Sequence, residues 1–312
     1  MNQNNNLIKG YILAGLSYAL WGILPLYWKQ LTSCSPVEIL ANRIIGAFIL
    51  LIVIILITKK KGFGGYLRDR KKRMGLIITG TLLTINWFIF IFAVNSNHVV
   101  EASLGYYINP LISVLLGMVV LKEKMSKLQI LALLFAFCGV MYMTLSYGIF
   151  PWISIVLATT FALYGLLKKI HGLDSILSLL GEVMIILPIM ITYSMVQWYK
   201  GDNQLFVGDI KVVIFILLSG VVTVIPLYLF AEGTKRIPLS SVGFLQYIAP
   251  TLMLLIGVFV YGEAFTYAHK ISFVFIWIAV ILYAVSLIRN KKSKVIKYTI
   301  ETVHSKEAPP LL

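Results

Sequence analysis

The sequence has few charged residues: Asp, Glu, Lys and Arg make up 12% of its 312 positions, about half of their share in soluble domains. In their place, 59% of the residues are hydrophobic, and the mean hydropathy is +0.90. A soluble fold of this length cannot bury so much apolar surface beneath so little polar surface. Disorder is excluded as well, since disordered chains are poor in aliphatic and aromatic residues. The composition therefore indicates a polytopic membrane protein.

Cysteine and histidine are also scarce. The two cysteines, Cys34 and Cys138, have neither the pattern of a disulfide framework nor the spacing of metal ligands. The four histidines are scattered along the chain, at His98, His171, His269 and His304. We therefore predict no metal site and no cofactor.

Motifs that bind nucleotides or carry out catalysis are missing from the sequence. It has no glycine-rich phosphate loop, no His-Glu-X-X-His and no plausible set of Ser, His and Asp. We therefore exclude an ATP-driven pump, nominate no catalytic residue and expect that the protein is not an enzyme. The selectivity filter that an ion channel would need is not recognisable either.

Acidic residues are the rarer charged class, with 12 Asp and Glu against 27 Lys and Arg, so that the net charge is +15. In a soluble chain this excess would suggest a nucleic-acid partner. Here the basic residues lie between apolar runs, as they do in the cytoplasmic loops of membrane proteins. We therefore expect a lipid bilayer as the partner, and no nucleic acid.

Ten apolar runs have the length of about 20 residues that a membrane-spanning helix needs. The runs are continuously apolar, whereas the wall of a β-barrel needs alternating polar and apolar residues. The sequence therefore predicts an all-α membrane protein with ten spans. These are Lys9–Trp28, Glu38–Thr58, Met74–Val94, Val99–Leu121, Lys127–Ser146, Ile149–Leu167, Ile176–Gln197, Val212–Ala231, Leu239–Tyr261 and Ala268–Ile288.

The distribution of Lys and Arg predicts the orientation of these spans. If the N-terminus is cytoplasmic, 22 of the 27 basic residues lie on the cytoplasmic side and only 4 lie in outer loops. Because cytoplasmic loops collect Lys and Arg, both termini are predicted to be cytoplasmic. The remaining basic residue, Arg43, lies within a span.

The two ends of the chain are predicted to lie outside the membrane. The first span has no small-residue cleavage site after it, so we interpret it as a retained helix and not as a signal peptide. Residues 1–8 are rich in Asn and are expected to be disordered. Residues 290–312 are polar and are expected to form a disordered cytoplasmic tail.

Residues 80–142 resemble residues 220–282 when the sequence is shifted by 140 positions. The most specific part of the match is the motif Tyr-Ile-X-Pro, which is followed by Gly and Glu at fixed distances after the Pro. These matches predict two five-helix repeats, at residues 9–146 and 147–289. The identical pairs include Tyr107/Tyr247, Ile108/Ile248, Pro110/Pro250, Gly117/Gly257, Val120/Val260, Glu123/Glu263 and Phe135/Phe275.

A unit with an odd number of spans is inverted in the membrane when it is repeated in tandem. Glu123 accordingly falls in a predicted inner loop and its counterpart Glu263 in a predicted outer loop. Inverted repeats are common in secondary transporters, which bind their substrates near the bilayer midplane between the repeats. The architecture therefore favours transport, although a purely structural duplication would give the same pattern.

Arg43 is the foremost candidate for a functional residue, because a charge within a membrane span is costly. It follows Glu38 by five residues, which places the two side chains about 140° apart around a helix. Arg43 therefore needs a partner on another helix or an anionic group of a substrate. Alternatively, its side chain reaches the outer interface and binds nothing.

Glu182 is the second charged candidate and lies about 9 Å inside the seventh span. A carboxyl group buried in the membrane is a candidate for proton binding and hence for coupling transport to a proton gradient. The equally weighted alternative is that Glu182 is a structural partner of an Arg or Tyr on a neighbouring helix.

The fourth and ninth spans carry polar residues around a proline, at Pro110 and Pro250. A proline within a span interrupts the helical hydrogen bonds and exposes backbone polar groups near the membrane centre. These groups are predicted to line a polar cavity, although a packing kink would explain the same pattern. The candidate substrate-binding residues of the two spans are Tyr106, Tyr107, Asn109, Gln246 and Tyr247.

Asn86, in the third span, is a further candidate for lining the cavity. The neighbouring Trp87 is interpreted as packing or as an aromatic wall for a substrate. Trp21, Tyr27 and Trp28 lie in the outer part of the first span, where an aromatic belt at the membrane surface is expected.

The sequence also resembles a known family. The residues that carry the resemblance are Trp21-Gly-Ile-Leu-Pro-Leu-Tyr-Trp-Lys29, Glu38 with Arg43, Asn86-Trp87, Ala93-Val94-Asn95, Glu101-Ala-Ser-Leu-Gly-Tyr-Tyr-Ile-Asn-Pro110 and Gly243-Phe-Leu-Gln-Tyr-Ile-Ala-Pro250. From Lys9 to about Arg289 the chain resembles the EamA family of ten-helix drug/metabolite transporters, and within it the RarD-type branch. The resemblance implies two EamA repeats in the cell membrane of a bacterium and a small metabolite as substrate. It supplies no site residues.

These observations predict a secondary transporter that moves a small organic solute by alternating access. We expect Arg43 to orient an anionic group of the solute and Glu182 to bind the coupling proton, and an exchanged counter-substrate is the alternative to a proton. The cavity would be lined by the first, third, fourth, sixth, eighth and ninth spans. The alternative function is a non-transporting membrane protein such as a sensor or an assembly partner. The sequence predicts no oligomeric state.

Overall fold

The structure, a computed structural model, describes residues 3–95, 99–148, 151–262 and 266–307. Within these ranges the regular structure is helical, and strands are absent. A short 3₁₀ turn at Lys29–Leu31 follows the first helix. The α-helices are α1 (Gln3–Trp28), α2 (Pro36–Ile57), α3 (Phe63–Arg68), α4 (Arg70–Asn95), α5 (Val99–Val119), α6 (Lys127–Tyr147), α7 (Trp152–His171), α8 (Ser175–Lys200), α9 (Gln204–Val207), α10 (Ile210–Arg236), α11 (Leu239–Leu245), α12 (Ile248–Tyr261) and α13 (Tyr267–Glu307).

The helices confirm the ten predicted spans. In the described part of the chain, nine segments are long and apolar enough to cross a membrane, and α5 contributes a shorter apolar helix at Leu104–Val119. The ninth predicted span is divided into α11 and α12. The short helices α3 and α9 lie between spans.

Local sequence signals explain where several helices begin. Ser35 caps α2 by accepting a hydrogen bond from the Glu38 amide at 3.2 Å, and Pro36 follows it at the first helical position. Asp174 caps α8 by accepting from the amides of Ile176 and Leu177. Burial alone would raise the pKa of the Asp174 carboxyl, but the ion pair with Lys60 and these amide donors outweigh burial and hold its pKa below the ordinary value.

Helix is assigned close to both ends of the described chain. α1 begins at Gln3 and α13 continues to Glu307. Once a helix has formed, adding a residue costs little because each one brings its own hydrogen bond. A neighbouring apolar span therefore extends into polar sequence, which composition alone does not reveal.

The larger of two compact units contains α1–α5 and α7–α12. Within it, α2 and α10 cross at two glycines, Gly46 and Gly220. A Cβ atom on Gly46 would lie 3.1 Å from the Gly220 Cα, and one on Gly220 would overlap the Gly46 carbonyl group. Small residues let membrane helices approach closely, so these glycines bring Arg43 of α2 near α10.

The second unit consists of α6 and α13, which are the fifth spans of the two repeats. Phe135 of α6 and Phe275 of α13 have ring centroids 5.9 Å apart, and these residues are one of the identical pairs in the sequence. Gly139 allows the close approach of the two helices, since a Cβ atom there would lie 2.9 Å from the Ser272 carbonyl oxygen.

Candidate functional site

Arg43 lies in an aromatic enclosure formed by helices of the larger unit. Its guanidinium lies 4.7 Å from the ring centroid of Trp28, on α1, and 5.8 Å from that of Trp87, on α4. The hydroxyl of Tyr106, on α5, is near enough to interact electrostatically with it. Guanidinium groups are attracted to the faces of indole rings, so contacts with the two tryptophans stabilise the Arg43 head group in this position.

One polar contact of the Arg43 head group is made by its Nε–H, which donates to Thr223 Oγ1 of α10 at 3.1 Å. No ion pair joins Arg43 to a carboxylate among the side chains that the structure describes. Glu38 is buried and accepts a hydrogen bond from the Gln204 amide at 2.6 Å. The terminal N–H groups of a guanidinium form a fork that fits a carboxylate or a phosphate. The chemistry of this side chain is therefore of the kind that suits an oxyanion.

The predicted polar residues of the fourth and ninth spans form a buried layer. Ser113 Oγ donates to Asn109 Oδ1 at 3.3 Å, and Gln246 Nε2 donates to Ser113 Oγ at 3.2 Å. The hydroxyl of Tyr18, on α1, lies beside Gln246. The structure thus brings Asn109 and Gln246 together, and Ser113 and Tyr18 are members of this layer that the sequence analysis missed.

Tyr107 and Tyr247 occupy matching positions in the two repeats, and both are buried. The two hydroxyls lie near each other. The hydroxyl of Tyr247 has no hydrogen-bond partner among the described residues. Tyr106, by contrast, is 41% exposed and belongs to the Arg43 enclosure.

The two prolines have different effects on the backbone. α5 continues through Pro110, whereas the ninth span is interrupted at Gln246 and Tyr247, just before Pro250. The Gln246 carbonyl, which Pro250 deprives of its usual donor, accepts from the Ala249 amide at 3.2 Å. At this break, the expectation of exposed backbone groups is therefore wrong, because a tighter turn satisfies the carbonyl.

Asn86 connects two helices. Its side-chain amide donates to the Leu157 carbonyl at 2.8 Å and to Thr160 Oγ1 at 3.0 Å, both on α7. These bonds use both amide hydrogens, so the described contacts of Asn86 join α4 to α7. Trp87, the next residue, is a wall of the Arg43 enclosure.

Glu182 lies in a separate buried cluster between α4, α7 and α8. Its carboxylate forms an ion pair with Lys168 at 2.6 Å and accepts from Thr79 Oγ1 at 2.9 Å and from the Tyr164 hydroxyl at 3.1 Å. Lys168 also donates to Ser178 Oγ at 2.8 Å. The side chains of Glu182 and Lys168 are only 1% and 6% exposed. A buried ion pair of this kind is strongly coupled, since either charge alone would be costly.

A small cavity adjoins the Glu182 cluster. Its volume is about 10 Å³, which is enough for one water molecule, and its walls include Glu182, Lys168 and His171. The Nδ1 atom of His171 is buried and has no hydrogen-bond partner among the described residues. A water molecule in this cavity would lie beside both the His171 ring and the ion pair of Glu182 and Lys168.

Several residues of these clusters escaped the sequence analysis. Trp28 was assigned to the membrane belt, and Thr223 and Thr79 are polar residues of ordinary appearance in apolar helices. Lys168 was placed in an inner loop, although it lies within α7. A sequence signal for Lys168 exists, because helical side chains lean toward the N-terminus of their helix, which directs a lysine at the C-terminal end of an apolar run back along that run.

The described residues contain no group of three or more His, Cys, Asp or Glu side chains that could hold a metal ion. The polar clusters above are instead built from one guanidinium, one ion pair, amides and hydroxyls. These groups suit the binding of an organic solute through hydrogen bonds and charge.

An all-helical chain of ten spans with a duplicated unit and buried polar clusters has the architecture of a polytopic membrane transporter. Comparison with known proteins agrees: the EamA-like transporter family matches residues 8–145 and, a second time, residues 150–285. The chain therefore belongs to the EamA-like transporter family, with two repeats of five spans each.

The similar proteins cover nearly the whole chain. An uncharacterized transporter, YojE, from Bacillus subtilis is 42% identical over 93% of this chain and 98% of its own length. The protein RarD of Salmonella typhi is 35% identical over 92% of this chain and 98% of its own length. A crystal structure of a protein with 17% identity has a TM-score of 0.68 over 88% of this chain and 96% of its own, which shows a shared fold.

Proposed function

We propose that this transporter moves a small organic anion across the membrane by alternating access. The observation that carries the proposal is the Arg43 guanidinium, which lies over the rings of two tryptophans and is not paired with a described carboxylate. A permanent charge inside a span is too costly to be kept without a partner, and an anionic group of a solute would supply one. The aromatic walls would exclude water and favour a solute with an apolar or flat portion.

The two repeats support alternating access. Each family match contains five spans, and a unit of five spans reverses its direction in the membrane when it is repeated. Two inverted units give two conformations of similar energy that differ in the face to which the site opens. The excess of Lys and Arg in alternate loops supports cytoplasmic termini, and the bacterial relatives support the bacterial cell membrane as the location.

The proposal is tested by a solute screen on the purified protein. We expect small organic carboxylates or phosphates to raise the melting temperature, because a ligand that binds the folded state stabilises it. Matched neutral amides and cationic amines are expected to have no effect. The anions that bind should then be taken up into proteoliposomes. Stabilisation by neutral or cationic solutes alone would contradict the proposal, and binding without uptake would favour a sensor.

For energy coupling, we propose that the pair of Glu182 and Lys168 exchanges a proton during transport. Their ion pair is buried and adjoins a cavity large enough for one water molecule, which could carry a proton to or from the carboxylate. The test is the pH dependence of uptake by a double variant, Glu182→Gln with Lys168→Met, which removes both charges together. We expect this variant to lose the acceleration by an inward proton gradient. Uptake with an unchanged pH dependence would refute proton coupling at this pair. Exchange against a counter-substrate would then be the remaining source of energy.

A further inference from the structure

The packing of α5 against α11 joins the two repeats at the end where Glu123 lies. Glu123 follows α5, and its carboxylate accepts hydrogen bonds from the amide of Leu239 at 2.6 Å and the amide of Ser240 at 2.9 Å. It also accepts from Ser240 Oγ at 2.7 Å. A residue of the first repeat thus satisfies the free amides at the start of a helix in the second repeat.

Two glycines let α5 and α11 approach closely beyond this cap. A Cβ atom on Gly117 would lie 3.1 Å from the Ser240 amide nitrogen, and one on Gly243 would lie 2.8 Å from the Pro110 carbonyl oxygen and 2.7 Å from Val114 Cγ2. Such distances leave no room for a larger side chain. No solute could pass between the helices while they are packed this closely.

Besides the Glu123 cap and the two glycines, the interface between α5 and α11 contains the hydrogen bond between Ser113 and Gln246, at the residue where α11 ends. Beyond the break, α12 packs against α1: a Cβ atom on Gly22 would lie 2.7 Å from the Cβ of Leu252. On α5, Tyr106 lies seven residues before Ser113, or about 10 Å along the helix. Tyr106 is 41% exposed and borders Arg43, whereas Ser113 is 1% exposed.

We infer that α5 and α11 form a closed gate between the Arg43 site and the membrane face on which Glu123 lies, and that Glu123 holds this gate shut. The inference rests on the proposed function, since a gate implies alternating access. On this inference, the structure represents the state in which the gate at the face of Glu123 is closed. By the distribution of Lys and Arg, the closed face is the cytoplasmic one. Glu123 is therefore a positioning residue that sets the balance between the two states.

The gate is tested by thiol labelling of Val114→Cys, in a background of Cys34→Ser and Cys138→Ser. Val114 is 1% exposed and packs in the gate, so a membrane-impermeant maleimide should label this variant slowly. Adding Glu123→Gln should increase the labelling rate from the cytoplasmic face by about tenfold, because it removes charge-assisted hydrogen bonds that only the closed state makes. Ser240→Ala, which removes one of the three bonds, should give a smaller increase.

The matched control is Asp69→Asn. Asp69 also accepts hydrogen bonds from backbone amides at the start of a helix, namely those of Lys71 and Lys72. Unlike the bonds of Glu123, these bonds lie within one repeat. This control should leave the labelling rate unchanged. The inference is overturned if Glu123→Gln leaves the labelling rate unchanged although its melting temperature equals that of the Asp69→Asn control. It is also overturned if Glu123→Gln increases the labelling rate equally from both faces of the membrane.

The labelling needs no solute, so it separates the gate from the transport assignment. A gate that opens in Glu123→Gln supports the inference even if the solute screen identifies no anion. A gate that does not respond to Glu123→Gln refutes the inference and leaves the anion-binding proposal to its own test.

Discussion

Replacing Glu182 with glutamine should destabilise the protein by about 3–5 kcal/mol, because it leaves the Lys168 ammonium buried without a counter-charge. The amide oxygen of glutamine can replace only one of the two carboxylate oxygens, so one of the hydrogen bonds donated by Thr79 and Tyr164 is lost together with the charge. The measurement is the free energy of unfolding in detergent, from denaturant titrations at neutral pH.

Two controls identify the cause of this loss. The double variant Glu182→Gln with Lys168→Met should recover most of the stability, since removing both partners of a buried ion pair is often close to neutral. Asp69→Asn, whose pairing with Lys72 is exposed and 3.8 Å long, should cost less than about 1 kcal/mol. A Glu182→Gln variant as stable as the parent protein would contradict the buried pair.

Replacing Arg43 with lysine should weaken binding of an anionic solute roughly 10- to 100-fold, which corresponds to the loss of one charge-assisted hydrogen bond. A lysine keeps the charge, but it can neither form the guanidinium fork nor present a planar group to the rings of Trp28 and Trp87. Arg43→Gln, which also removes the charge, should abolish both binding and uptake. The measurement is the dissociation constant of an anion found in the solute screen.

Lys29→Gln is the matched control for Arg43→Gln. Lys29 follows α1 directly and stacks on the ring of Tyr261 at 3.5 Å, so the control also removes one positive charge held by an aromatic ring. The Lys29→Gln protein should bind the anion with the same affinity as the parent protein. If Arg43→Lys binds as tightly as the parent protein, Arg43 is a cation at the membrane surface and not a binding residue.

The sequence predicted the helices better than it predicted their partners. Continuous apolar runs and the positions of charged loops are local properties, so the ten spans could be found from them. The offset of 140 was informative even about backbone details: α5 begins at Val99 and α11 at Leu239, and both Lys122 and Gly262 have positive φ, of 53° and 67°.

The contacts between helices could not be predicted, because periodicity gives the face of a residue and not the neighbour across it. Asn86 looked like a residue of the cavity, yet its amide joins α4 to α7. For Glu182, an Arg or Tyr partner was considered, and the structure supplies Tyr164 together with Lys168. The Tyr-Ile-X-Pro motif occurs in both repeats, yet α5 is continuous through it and the ninth span is interrupted at it. A local motif therefore does not determine whether the helix breaks, and the contacts with neighbouring helices must contribute.

The central claim is that the two repeats have opposite orientations in the membrane, since alternating access and the gate both depend on it. The most direct test is labelling of Val120→Cys and Val260→Cys, each as a single cysteine in intact cells. These residues are an identical pair at the ends of the fourth and ninth spans, and both are exposed. An impermeant maleimide added outside should label Val260→Cys at once and Val120→Cys only after the membrane is permeabilised. Labelling of both variants from the same face would contradict the account.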